Sequence, residues 1–236
     1  MNNNIKILFK ITIIVVIVLN LPLQKVYSEQ VESVVSSLIT NEEVKQSNGK
    51  SIHIYNTHQG EEYATKSVKE GSNYLMQLLK QKGYSVDYET EDFELYKVKN
   101  NINYKYSYAV SKKYLNNAIE KNGNYDLIID FHRDSIKKSL STLSYKEKKY
   151  AKIMFVVGKS STNYTDVKKM SNNISSLLND KIPGISRGIY VKQSHYNQGV
   201  AKNMVLIEIG ANENTYQEVQ NTLNILALSL DEYLSQ

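Results

Sequence analysis

The chain has 236 residues, 41% of them hydrophobic, which suits one globular core with a leader. It has no cysteine, so a disulfide framework, a Cys-ligated zinc and a cysteine nucleophile are excluded, and any metal must be held by His and carboxylates. Formal net charge is +5, but setting aside Lys6, Lys10 and Lys25 of the first 28 residues leaves 26 basic against 24 acidic side chains, a balance that makes no electrostatic case for nucleic acid.

Residues 1–28 carry no acid, and "ITIIVVIVLNLPL" runs into "VYS" before Glu29. This reads as a secretory signal peptide or, if uncleaved, an N-terminal membrane anchor. The apolar run 11–23 is shorter than the roughly 20 residues of a spanning helix. Either reading places the protein outside the cytoplasm, secreted or anchored at the cell wall, with membrane contact only through this segment. Residues 29–50 are polar and read as a linker; residues 51–236 read as one domain.

From Ser51 strands alternate with helices. "SIHIYNT" reads as a strand, and "SVKEGSNYLMQLLKQKG" as a helix with Val68, Gly71, Leu75, Leu78 and Leu79 on one face and Gly83 as its stop. "YSVDYE" is the next strand, and "TEDFELYKVKNNINY" a polar stretch. A helix over about 105–121 has Tyr108, Ser111, Leu115 and Ile119 in phase. "YDLIID" and "AKIMFVVG" read as strands, the Lys-rich "YKEKKYAK" between them as a solvated face. A helix around Val167, Met170, Ile174 and Leu177 leads to "IPGISRGIYVK". "MVLIEIG" is a further buried strand, and the last helix opens on the capping box Thr215–Glu218. The pattern predicts an α/β fold of three layers, helices on both faces of a mostly parallel sheet.

Three polar groups, "NTHQGEEY", "DFHRDS" and "EIGANENT", each follow an apolar strand. In a parallel sheet those ends share one edge, where ligands bind. Four histidines are present, and two of them, His58 and His132, fall at such ends. Zinc held without cysteine takes His and carboxylate ligands, so His58, His132 and one of Glu61 or Glu62 would complete a site. Glu208, ending "MVLIE", is then the candidate base. His53 lies inside a strand and reads as a packed residue. His195 reads as a loop residue, a substrate contact or a transition-state donor. No Gly-rich phosphate loop is present.

At these residues the sequence resembles the stage II sporulation protein P family of cell-wall hydrolases, related to zinc-dependent N-acetylmuramoyl-L-alanine amidases. The family pattern "HTHxxESY", "DxHRDA", "YNQ" and "LIExG…NT" reads here as "NTHQGEEY", "DFHRDS", "HYNQGV" and "LIEIGANENT", in that order. The resemblance implies a zinc amidase-like catalytic domain over 51–236, with zinc on His58, Glu61 and His132 and Glu208 as the catalytic glutamate. Arg133, Asp134, His195 and Asn197 would then contact substrate or orient the ligands. The implied substrate is peptidoglycan, cut at the amide between MurNAc and L-Ala, with cross-link cleavage as a secondary activity. The implied setting is engulfment during sporulation, with a glycan-cleaving partner of the stage II sporulation protein D type. Asn56 and Ser135 depart from the family's usual His and Ala, and Glu62 stands where Ser is common. Two rivals remain: a zinc amidohydrolase of small N-acyl or peptide substrates, and a non-catalytic peptidoglycan-binding module.

Overall fold

The computed structural model describes residues 49–236; the leader and nearly all of the linker lie outside the described residues. Six strands form one sheet in the order β2-β1-β3-β8-β6-β7. They are β1 (Ser51–Tyr55), β2 (Ser85–Tyr88), β3 (Leu127–Asp134), β6 (Ile153–Gly158), β7 (Ser186–Lys192) and β8 (Met204–Ala211). All neighbouring pairs are parallel except β6 with β8, so the expected mostly parallel α/β sheet is what the chain builds. No described helix is long and apolar enough to cross a membrane.

β1, β3 and β8 divide their side chains between two cores, as period-two alternation requires. Ile52, Ile54, Leu127, Ile129, Phe131, Val205, Ile207 and Ile209 enter the larger core. It is closed by helices α1 (Val68–Gln81), α5 (Tyr164–Lys181) and α6 (Tyr216–Leu234). Tyr55, Ile128 and Met204 enter the smaller one, closed by α2 (Phe93–Lys99) and α3 (Ser107–Asn122). Both α1 and α6 start at full capping boxes, Ser67 with Glu70 and Thr215 with Glu218. In α5 Leu178, rather than Leu177, is the residue buried in the core.

Three elements differ from the sequence reading. The polar stretch after β2 contains α2, capped by Asp92, and a 3₁₀ turn over Tyr104–Tyr106. Its apolar residues are too few to show a helical period, and Phe93 is its one fully buried anchor. The Lys-rich run forms a hairpin of β4 (Thr142–Tyr145) and β5 (Lys148–Ala151), which follow the single turn α4 (Lys138–Ser141). Lys146 and Glu147 both take left-handed backbone there, the geometry of a tight two-residue turn without its usual Asn-Gly signal. Finally, β3 does not stop before its polar cluster. It continues through His132 to Asp134, because β8 pairs with it along that whole length.

Candidate active site

Extending β3 and β8 past their apolar halves brings the candidate residues together. Asp130 and His132 continue the face of Ile128, and Leu206 and Glu208 continue that of Met204. His132 and Glu208 are register partners on adjacent strands. Beyond them the pairing slips by one residue at Gly210, whose φ is +61°. A side chain at 210 would meet Asn214 Oδ1 at 2.7 Å and the Ala151 Cβ at 2.9 Å, so this bulge needs glycine.

The segment after β1 is tied to β3 before it delivers His58. Asn56 Nδ2 donates to the Phe131 carbonyl at 2.7 Å, and Asn56 Oδ1 accepts from Ser72. Asparagine at this position is therefore a buried strut rather than a departure within the ligand set. Thr57 donates to both oxygens of Asp130, from its N–H at 3.0 Å and its hydroxyl at 2.8 Å. His58 then sits edge-on to His132, ring centroids 5.3 Å apart, and stacks on Tyr104 at 4.8 Å. Glu61 Oε2 lies 3.5 Å from His132 Nδ1 and accepts from the Arg133 N–H at 3.2 Å. Glu62 is exposed, and only its backbone carbonyl is engaged here, by Arg133 Nε. Of the two acids left open by the sequence, Glu61 is the one in the site.

These residues line a cavity of about 520 Å³ at the sheet edge, within the range of small-molecule sites. His58, Glu61, His132, Arg133, Asp134 and Glu208 all face it, as do Tyr104, Tyr108, Tyr190 and Tyr196. A chain without tryptophan thus walls its site with tyrosine. His195 is exposed and lies outside the cavity lining. Asn197 is buried and donates to the Tyr108 carbonyl and Ser111 Oγ, both at 3.0 Å. Next to it, Gln198 accepts from the Gly158 N–H and donates to the Val156 carbonyl. Pinned to α3 and β6 in this way, Tyr196 and Asn197 hold left-handed backbone, φ +47° and +58°, at a cost of about 1–2 kcal/mol each. The strain sets Tyr196 edge-on to Tyr108 at 5.4 Å in the cavity wall. In "HYNQ" the cavity residue is therefore Tyr196, with Asn197 and Gln198 as its anchors.

The electrostatics are unbalanced toward acid. Burial pulls the His132 pKa down, but Asp130, Glu61 and Glu208 outweigh it and hold the imidazole well above its usual value. His132 Nε2 is 2.8 Å from Asp130 Oδ1. Burial and the neighbouring His132 lower the His58 pKa, which favours the neutral, ligating form. Burial raises Glu208 to about 7; His132 opposes this, and Glu61, Asp134 and Asp130 reinforce it. A carboxyl at that value exchanges its proton near neutral pH, as a general base must.

Among the described residues no three or more His, Asp or Glu stand close enough together to hold a metal ion as they are placed. The donor chemistry nonetheless fits zinc. His58 Nδ1 and Glu208 Oε2 are buried with no hydrogen-bond partner, a cost of about 1–3 kcal/mol each unless something binds there. Asp130 Oδ1 lies 2.8 Å from the far nitrogen of His132, where a carboxylate supports a metal-binding imidazole, although the pair is not aligned as a hydrogen bond. Sequence reasoning missed Asp130 and the tyrosines. Asp130 was findable, two residues before His132 and hence on its face of the strand; Tyr104 and Tyr108, four apart, bracket the start of α3.

The profile of the stage II sporulation protein P (SpoIIP) family matches residues 22–231. The stage II sporulation protein P of Bacillus subtilis (strain 168) is 31% identical over 205 residues, 78% of this chain. The chain spans 51% of the length of that relative. In fold, it is similar to the CwlD amidase of Clostridioides difficile, solved in complex with the GerS lipoprotein. That likeness has 17% identity and a TM-score of 0.56 and covers 79% of this chain and 99% of that one. The chain belongs to the stage II sporulation protein P family.

Proposed function

We propose that the domain is a zinc-dependent peptidoglycan hydrolase that cleaves the amide between MurNAc and L-Ala of the stem peptide, in cell-wall remodelling during sporulation. The observation that carries this reading is Glu208. Its buried Oε2 has no partner, it is the register partner of His132, and it faces the cavity that also holds His58 and Glu61. The family and the amidase-like fold support the same reading.

His58, Glu61 and His132 would hold the zinc, with Asp130 fixing the His132 ring from behind. A zinc ion supplies, when bound, a Lewis acid that polarises the scissile carbonyl and activates water near neutral pH. Glu208 takes the proton of the attacking water and delivers it to the departing amide nitrogen, which its raised pKa allows in both directions. Tyr108, with its pKa raised by burial and by Asp130, stays protonated and keeps a hydroxyl in the cavity. Arg133 and Asp134 shape the rim: Arg133 braces the Glu62 carbonyl, and Asp134 Oδ2 pairs with Arg187 Nη1 at 2.7 Å. Secretion or anchoring through residues 1–28 would deliver the domain to its wall substrate, and a glycan-cleaving enzyme would expose the stems.

The test is a digest of purified peptidoglycan by the zinc-loaded chain, read by mass spectrometry, with Glu208→Gln beside it. Release of intact stem peptides, lost in the variant, is the expected result. Cleavage confined to cross-links would make the domain an endopeptidase instead. Products that persist in the variant would remove Glu208 from the chemistry.

A further inference from the structure

One wall of the cavity has no part in the reaction just described. It is built by β7, the edge strand of the sheet, whose second long side has no strand partner among the described residues. Alternation would put Arg187 and Tyr190 on opposite faces of that strand. The structure avoids this with a bulge. Ile153 pairs with Ser186 and Phe155 with Ile189, so β7 carries one extra residue in that interval. Gly188, at φ +81°, absorbs it, and its N–H donates back to Ser186 Oγ at 3.1 Å. After the slip Arg187, Tyr190 and Lys192 all line the cavity. A bulge beside a site commonly serves to re-aim a side chain in this way.

The three differ in how far they are committed. Arg187 gives Nη1 to Asp134, and its side chain makes no other hydrogen bond among the described residues. Lys192 forms no ion pair there at all; its ammonium stands over the Tyr190 ring, 5.3 Å from the centroid. Tyr190 is 50% exposed, a large aromatic left open on the rim. An unpaired cation propped on an aromatic face, on the wall opposite the acids gathered near His132, suits an anionic group brought by the substrate.

We infer that the Arg187–Tyr190–Lys192 wall of β7 is a specificity subsite that recognises a free carboxylate on the peptide side of the scissile amide, with Lys192 as its principal cation. The inference rests on the peptidoglycan reading above and names which stem peptides the site prefers. In a stem peptide the residue after L-Ala carries such a group, and its amidation removes the charge while keeping the shape. A lysine on an edge strand also discourages pairing with other chains; that role alone predicts no discrimination between the two substrate forms.

The test measures binding, apart from cleavage. The full chain carrying Glu208→Gln is titrated with two soluble MurNAc-L-Ala-γ-D-Glu fragments that differ only in whether the glutamate α-carboxylate is free or amidated. The free form should bind about tenfold more tightly, as one charge-assisted contact gives. Adding Lys192→Met should bring the ratio of the two dissociation constants to about one, while Lys192→Arg should largely keep it. Equal binding of the two fragments, no binding of either, or a ratio untouched by Lys192→Met each overturns the inference. Turnover by the chain with Glu208 intact is scored separately. Cleavage without discrimination sinks only the subsite, and discrimination without cleavage sinks only the amidase reading.

Discussion

Two pairs of a histidine and an acid occupy equivalent relations in this sheet, and only one of them makes a site. His53 and Asp87 are register partners on β1 and β2, as His132 and Glu208 are on β3 and β8. In the first pair the side chains close on each other: His53 Nδ1 lies 3.0 Å from Asp87 Oδ2, which also accepts from Asn122 and the Tyr125 hydroxyl. The Asp87 carboxylate is met by three donors, although the far nitrogen of His53 stays without a hydrogen-bond partner. In the second, His132 is taken by Asp130 and Glu61, and Glu208 is left with an unpartnered buried oxygen. The acids outnumber their donors there. A His–acid pair is thus structural or functional according to whether its carboxylate is left unsatisfied, and removing the charge of Glu208 or of Asp87 should have opposite signs.

The largest contrast lies in Glu208. Glu208→Gln should reduce peptidoglycan cleavage by about 10³-fold, the scale of a lost general base. The same change should stabilise the metal-free protein. Glu208 has a folded pKa of about 7 against 4.5 as its ordinary value, so the native state keeps a proton that the unfolded state releases. Stability therefore falls as pH rises from 4.5 to 7, by about 3 kcal/mol in total. Denaturant unfolding should show the variant ahead by that amount at pH 8 and level with the parent at pH 4.5. A variant that is less stable at pH 8 would mean that Glu208 has a native partner.

Metal loading separates the clusters next. His132→Ala should abolish zinc uptake by elemental analysis and the zinc-dependent rise in melting temperature, whereas His53→Ala should keep both. Asp130→Asn should weaken zinc binding by about 10–100-fold without removing a ligand. Full zinc retention in His132→Ala would take the metal away from β3 and leave the unpartnered His58 Nδ1 unexplained.

How much of this the sequence carries depends on the kind of signal. β1, β3 and β8 are legible because their cores are continuous apolar runs, and α1 and α6 because caps and period agree. The convergence of His58, His132 and Glu208 follows from those strands being parallel. What escapes is whatever is fixed by two-sided contacts. The end of β3 reads as loop because it is polar, yet pairing with β8 holds it in the strand. The β7 wall is set by an unpatterned bulge at Gly188, and Tyr196 is aimed by anchors, Asn197 and Gln198, whose partners lie 40 or more residues away in the chain. His195, the more reactive residue type, draws attention away from them.

The smallest expected effect closes the comparison from the settled side. The His53 ring, the Tyr125 hydroxyl and the Asn122 amide, outweighing burial, hold the Asp87 carboxyl at about 2, below its ordinary 3.8. A depressed carboxyl stabilises the fold above its unfolded pKa and loses that contribution as pH falls from 3.8 through 2, the reverse of Glu208. Asp87 is 37% exposed, so solvent screening reduces the gain to about 1 kcal/mol. Asp87→Asn should cost about that much at pH 7 in denaturant unfolding, with the difference closing near pH 2 and zinc uptake and cleavage unchanged. Loss of cleavage in a protein of near-parental stability would show that the β1–β2 pair reaches the active site after all, and would break the division between the two clusters.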